Sequence, residues 1–372
     1  MAATRKKAAH FLLLGELAGS PPNEALIGAL LDLGFDVDLY APGGGAVKGL
    51  YDSRVTMFPV EYGKRWLLRN ALSRRWREYQ IFSGTSEDPL GVAGTLARLH
   101  RKPFFALADE IKSGSYYGDA PESWKRLCRW AMRGAAFNIV NDESRVQLQR
   151  EYAGISPDSP VLVYPGCFRQ PPAPTDRASL REKWGIPEGA LTIGVSGGFN
   201  ETSGADWLFK VFSRDPSIHL VIQALNMPPF TRMLLENTAG AGRLYLEPNR
   251  LSWQDAWASA SACDIGLAIY TNPAPQFQHM GISSNRLCMY LAMGVPVIAN
   301  RQPSFEFLEH FDCGRMVSSE QEFSAAIDKI RDRLPAMRAN ALTCAREYIR
   351  APQRWLELRE KLSQFTQGRA GR

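Results

Sequence analysis

At 372 residues the chain is too long for one ordinary hydrophobic core, so two domains are expected. Hydrophobic residues make up 45% and charged residues 22%, the balance of a globular protein, and no apolar run approaches the ~20 residues of a membrane-spanning helix. The formal charge of +6 and pI of about 9.0 suit anionic small molecules, membrane surfaces or nucleic acid, and do not choose among them.

The opening "MAATRKKAAHFLLLGELAGS" imitates a secretory signal. Its apolar run Phe11–Gly15 is short, Glu16 follows at once, and no A-x-A cleavage pattern appears. It therefore reads as a basic tail feeding a buried strand, "HFLLLGE". Helix "PPNEALIGALLDLG", closed at Gly34, and alternating strand "FDVDLYAPGG" complete a strand–helix–strand unit of a parallel sheet. Residues 79–85 and 103–110 are predicted strands around the helix "PLGVAGTLARLH". "FNIVND" and "VLVYPG" are strands on either side of the helix "ESRVQLQREYAG". The first domain is thus placed at 1–165 and a proline-rich linker at 166–180.

Alternation then restarts. Strand "LTIGVSGG", helix "GADWLFKVFSRD", strands "IHLVIQAL" and "GRLYLEP", helix "SWQDAWASASA" and strand "CDIGLAIY" lead to "GISSNRLCMYLAMGVPVIAN". That second domain is placed at 181–350, followed by an amphipathic helix at 351–372 that crosses back to the first domain. The fold class is α/β: two Rossmann-like domains facing across a cleft. Six scattered cysteines, with no C-x-x-C, point to reduced core thiols rather than disulfides or zinc.

The chemistry concentrates in two segments of the second domain. Ser283, Ser284 and Asn285 are good N-cap residues, so a helix is predicted to start there. Its first turn leaves amides open and carries the positive end of the helix dipole. Arg286 adds a cation where a cation is ordinarily misplaced. An anion held by the amides and the guanidinium reverses that penalty, and diphosphate is the natural candidate. The plainer alternative is a capped helix with a solvated arginine. The second segment is "GVSGGFNETSG", between a strand and a helix, where Gly197 and Gly198 allow backbone amides to approach a phosphate.

"SSNRLCMYLAMGVPVIAN" resembles the donor-binding helix of GT-B-fold glycosyltransferases, whose pattern reads roughly S-x-K/R-L-x-E-Y-x-A-x-G-x-P-V-I. The matching residues are Ser284 or Ser283, Arg286, Leu287, Tyr290, Ala292, Gly294, Pro296, Val297 and Ile298. "SGGFNETSGADWLFKVF" is similar to the family's first loop and helix of the donor domain, and "PSFEFLEHFDCGRMV" to the segment after the donor helix, with Glu306 and Gly314 in the usual places. The resemblance spans most of residues 190–318 and implies a transferase acting on a nucleotide-diphosphate sugar. Together with the position of neighbouring residues, it leads us to expect donor contacts at Gly197, Gly198, Asn200, Tyr270, His279, Ser283, Ser284, Asn285, Arg286 and Glu306. The sequence departs from the retaining branch in four places. Gly281 and Met289 stand where two glutamates contact sugar and ribose, and Gly198 and Ser203 where an Arg and a Lys meet the diphosphate.

In the first domain, the basic stretch "KRWLLRNALSRRWR" (64–77) reads as an amphipathic helix suited to an anionic membrane surface, through Arg65, Trp66, Arg69 and Trp76. "ESWKRLCRWAMRG" repeats the theme with Arg129 and Arg133. An acceptor hydroxyl needs a base at a strand end, and Asp109, then Glu110, are the expected ones. No metal cluster or nucleic-acid module is recognisable. The sequence therefore predicts a metal-independent hexosyltransferase with the nucleotide sugar as co-substrate and no cofactor. It would be cytoplasmic, peripheral on the inner membrane surface, and act on a polysaccharide, lipopolysaccharide or lipid-linked glycan. The rival reading is a catalytically inactive scaffold of the same fold that binds a glycan or a protein. A periplasmic ligand-binding protein is a third, and predicts a cleaved signal.

Overall fold

Each half of the sequence builds one all-parallel sheet, seen in a computed structural model that describes residues 6–13, 21–42, 52–85, 87–109, 111, 122–166, 176–223, 242–247, 251 and 253–367. The chain divides into two units, Met1–Phe168 with Ala351–Arg372, and Arg169–Arg350. The first runs β1 Lys6–Phe11, α1 Pro21–Asp32, β2 Phe35–Ala41, β3 Val55–Pro59, α2 Lys64–Asn70, β4 Ile81–Thr85, α3 Glu87–Leu99, β5 Phe104–Ala108, α4 Glu122–Arg133, β6 Phe137–Val140, α5 Arg145–Ala153 and β7 Val161–Val163. The strand order is β3-β2-β1-β4-β5-β6-β7. Every residue of β4 and β5 is buried, because helices cover both faces of a parallel sheet. Phe105 and Leu107 join one core with Leu26, Leu30, Phe35 and Leu39. Their neighbours Phe104, Ala106 and Ala108 join another with Phe11, Tyr40, Trp76 and Phe82.

The second unit runs α6 Arg177–Lys183, β8 Leu191–Ser196, α7 Ala205–Arg214, β9 Ile218–Gln223, β10 Leu244–Leu246, α8 Trp253–Ser261, β11 Ile265–Ala268, α9 Asn285–Ala292, β12 Val297–Asn300, β13 Gly314–Val317 and α10 Glu320–Cys344. Its order, β10-β9-β8-β11-β12-β13, is the doubly wound one in which strands are added outward from β8 in both directions. Buried Asp264 pins α6 to the amino end of β11, accepting from Arg177 Nη2 at 2.6 Å, Arg181 Nη1 at 3.3 Å and the Thr192 amide at 2.9 Å. The last helix, α11 Pro352–Gln367, belongs to the first unit. Its Leu358 and Leu362 are buried in the core that contains Leu26 and Phe105.

Several local expectations are corrected. The first strand lies at Lys6–Phe11, ahead of the expected 10–16, and residues 14–20, with Glu16, lie outside the described ones. Strand β3 and the 25-residue α10 were not read from the sequence. β3 is an edge strand with a mixed half-exposed pattern, so it lacks the apolar run that marks its neighbours. The single helix expected at 64–77 breaks after Asn70 and resumes as a 3-10 turn, Arg74–Glu78. The break has a cause: the Trp76 indole Nε1 donates to the Asn70 carbonyl at 2.6 Å, and Trp76 becomes fully buried.

β1 also carries a buried polar set. His10 is fully buried, with Nε2 2.8 Å from Asn23 Oδ1 and Nδ1 2.8 Å from Ser83 Oγ. An amide oxygen only accepts, so Nε2 holds the proton and Nδ1 accepts from the serine hydroxyl. Burial lowers the His10 pKa from 6.5 to about 4. Between those values the unfolded chain binds the extra proton, so stability falls as pH drops from about 6.5 to about 4. We expect a loss of roughly 3 kcal/mol across that window, flattening below it, and a smaller pH slope for His10→Gln in urea melts.

Candidate functional site

In a doubly wound sheet the ligand crevice lies at the carboxyl ends of the strands where the order reverses. Here those strands are β8 and β11. β8 ends in Gly197, at φ 80, and Gly198, both exposed. The loop is set by Asn200, whose Oδ1 accepts from the Thr202 amide at 3.0 Å, while the Asn200 amide donates to Ser203 Oγ at 2.6 Å. Gly204, at φ 80, passes so close to β11's continuation that a Cβ there would sit 2.9 Å from Ile269.

Beyond β11, the Tyr270 amide donates to Asn300 Oδ1 at 2.8 Å, and its hydroxyl lies 2.5 Å from Ser284 Oγ. Ser284 is the N-cap of α9 and accepts from the Leu287 amide at 3.2 Å. The turn before it is held from behind. Gln302 Oε1 accepts from the Met280 amide at 3.0 Å, and Ser304 Oγ from the Gly281 amide at 3.1 Å. Beyond Asn285 and Arg286, helix α9 is largely apolar because it is covered all round. It packs on β11, α8 and α10, and Leu287 through Ala292 are buried. Tyr290 fits only because β8 and β11 each present a glycine. A Cβ on Gly266 would lie 2.3 Å from its ring and one on Gly194 2.8 Å from its hydroxyl. Burial pushes that hydroxyl's pKa well above the ordinary value.

Arg286 therefore leaves the first turn of α9 beside the β8 loop. Its Nη2 donates to the Gly198 carbonyl at 2.9 Å, and its Cζ stands 5.4 Å from the centre of the Tyr270 ring. Its Nη1 is buried with no hydrogen-bond partner among the described residues. An unpaired buried donor costs about 1–3 kcal/mol, more when charged, so this atom wants an acceptor that the described residues do not supply. The guanidinium lies over the exposed Gly197–Gly198 backbone, where a Cβ on Gly197 would sit 3.2 Å from Nη2, while the Gly197 amide itself donates to the Gln223 carbonyl at 2.9 Å; the guanidinium is thus the group that suits an oxyanion here.

The sequence-predicted residues separate into two sets. Arg286, Gly197, Gly198 and Tyr270 come together. Ser284 and Asn200 are spent as caps, and the Ser283 hydroxyl on the Met280 carbonyl, so these three shape the site rather than offer free groups. Asn285 is exposed at the start of α9, His279 is half-buried just after the short helix Pro275–Gln278, and Glu306 is exposed beside the turn containing Ser304. Met289 is buried in α9 and Gly281 turns at φ 42, so neither position offers an acid. Sequence reasoning missed Asn300, Gln302 and Ser304, which lie at the end of β12 and the turn after it; a polar run following a predicted apolar strand was the available signal.

In the first unit, Asp109 follows β5, half-buried, and its carbonyl accepts from Arg145 Nη1 at 3.0 Å. Glu110 lies outside the described residues. The membrane-facing set is corrected. Trp76 is buried, Trp66 packs partly buried on the core, Arg129 pairs with Glu122 at 2.6 Å, and Arg133 Nη1 donates to the Ala153 carbonyl at 3.1 Å. Arg65 and Arg69 alone of that set are exposed without such ties among the described residues. A cavity of about 1110 Å³ lined by Arg177, Arg181, Leu191 and Asp264 lies at the amino ends of β8 and β11, the wrong end for a substrate of this topology.

No protein-family model and no curated protein matches the chain. Solved structures do. Anabaena HepE in complex with UDP aligns over 96% of this chain and 100% of its own, at 16% identity and a TM-score of 0.73. A glycosyltransferase from Rickettsia africae aligns over 98% and 99%, at 15% identity and a TM-score of 0.74. The sucrose-phosphate synthase of Thermosynechococcus elongatus aligns over 97% and 99%, at 13% and 0.71. The chain has the GT-B glycosyltransferase fold. Within the GT-B frame, the β8 loop and α9 are the elements that the sequence resemblance had marked for the donor.

Proposed function

We propose that the protein is a glycosyltransferase that takes a hexose from a nucleotide-diphosphate donor. The observation that carries this reading is the Arg286 guanidinium over the exposed Gly197–Gly198 backbone, its buried Nη1 without a partner among the described residues. A diphosphate there accepts from the guanidinium, and gains charge as the sugar leaves. The guanidinium supplies the balancing positive charge, so the reaction proceeds without a metal. HepE, solved with UDP and with UDP-glucose, lends the fold-level support. The acceptor is a polysaccharide, a lipopolysaccharide or a lipid-linked glycan on the cytoplasmic side, and Asp109, or Glu110, takes the hydroxyl proton.

Calorimetric titration with UDP and GDP in the presence of EDTA tests the donor half. One of the two should bind with a micromolar dissociation constant, and chelation should not weaken it. Asp109→Asn should leave that affinity unchanged and lower transfer by on the order of a hundredfold or more. The absence of glutamates at 281 and 289 favours one rival, an inactive scaffold that binds a glycan. Failure of every nucleotide diphosphate to bind would put the scaffold ahead.

A further inference from the structure

The first unit carries a surface that the donor chemistry does not use. Leu68 is 79% exposed and Leu72 84%, while Trp66, Leu67 and Ala71 between and beside them pack on the core. The two leucines are four residues apart, and Ala71 keeps helical dihedrals, so they stand about one turn apart on the outside of α2. Every charged residue from Lys64 to Arg77 is a cation. Lys64, Arg65, Arg69, Arg74 and Arg77 are exposed, and no ion pair among the described residues engages them.

The end of α3 extends the same surface. The His100 ring donates from Nε2 to the Ala71 carbonyl at 2.7 Å, and Lys102 Nζ donates to the Arg77 carbonyl at 2.8 Å. Next to these ties a cleft of about 230 Å³ is lined by Arg98, Arg101, Lys102 and Trp130, with the Arg98 guanidinium 5.2 Å from the Trp130 ring centre.

We propose that α2, the turn after it and the end of α3 dock on an anionic lipid bilayer. Leu68 and Leu72 enter the acyl boundary, and the surrounding cations sit among headgroup phosphates. Charge complementarity and the leucines together select this occupant. A nucleic acid would use the cations and leave both leucines in water. The surface stands independently of the donor reading, so either can fail alone.

Co-sedimentation of the full chain with vesicles tests it. Vesicles of phosphatidylglycerol in phosphatidylcholine should bind at least about tenfold more protein than phosphatidylcholine alone, and high salt should release it. Leu68→Ser with Leu72→Ser, and separately Arg65→Gln with Arg69→Gln, should each lower partitioning on the order of tenfold with unchanged thermal melting. Arg129→Gln, whose charge is already paired, should bind like the wild type. Equal binding to neutral vesicles, no vesicle binding, or a leucine double variant that binds like the wild type would each overturn the proposal.

Discussion

Replacing Arg286 with alanine is expected to weaken nucleoside diphosphate binding about a hundredfold, or ~2.7 kcal/mol, while the fold survives. The size follows from the atom that has no partner. Nη2 already spends one bond on the Gly198 carbonyl, whereas buried Nη1 has no partner among the described residues. A ligand oxygen therefore gains a charge-assisted bond without displacing another. Removing the side chain loses one exposed hydrogen bond and the contact with the Tyr270 ring, so melting should shift little. Arg286→Lys should recover part of the affinity, because a point charge replaces the fork that reaches loop and ligand together. Transfer should fall further than affinity, since charge accumulates on the diphosphate as the glycosidic bond to it breaks. An alanine variant that binds UDP and GDP within twofold of the wild type would remove the donor site from this position.

The second large effect is structural. Gly266→Ala is expected to destabilise the second unit by about 3 kcal/mol, at the high end of overpacking costs. The new methyl would sit 2.3 Å from the Tyr290 ring, far inside contact distance. The ring has no retreat, because α9 is pressed between the sheet, α8 and α10. Tyr290→Leu alone should cost stability through lost volume, and in the double variant the two costs should not add, because each relieves the other. Urea midpoints of the four proteins measure that coupling. Tyr290 lies one helical turn beyond Arg286, so the glycine variant should also lower nucleotide affinity without touching the ligand. A Gly266→Ala protein as stable as the wild type would mean that Tyr290 does not rest on this strand.

The fold was largely legible because parallel sheets write themselves as apolar runs separated by amphipathic helices. β4, β5, β8 and β11 were placed that way, and so was α9, through Ser284 and the Gly294–Pro296 break. The errors share one cause: composition does not say which side of a helix faces in. Residues 64–77 look like one amphipathic helix whose tryptophans face the membrane. Trp76 instead ends the helix by bonding to Asn70, and Leu68 and Leu72 face outward while Leu67 packs on the core. The donor side had the same split. Arg286 and the two glycines, which the structure brings together, were picked because an anion needs a cation and open amides, which are properties of residue type; that the Gly197 amide is bonded to the Gln223 carbonyl is not. Asn200, Ser283 and Ser284 look like ligand groups, but their hydroxyls and carboxamide oxygen are consumed by local turns, which only coordinates reveal. Asn300, Gln302 and Ser304 act through backbone amides of a distant turn, and nothing in a linear sequence pairs them.

Helix α11 has a consequence for how the molecule is made. Leu358 and Leu362 close a core whose other walls come from residues 8 to 164. A ribosome that has emitted the whole of Arg169–Arg350 has therefore released a second unit able to settle, while the first, begun earlier, still has an uncovered greasy face. The half of the protein translated first is the last to be sealed, and nascent chains stalled near residue 350 should be the ones that recruit chaperones.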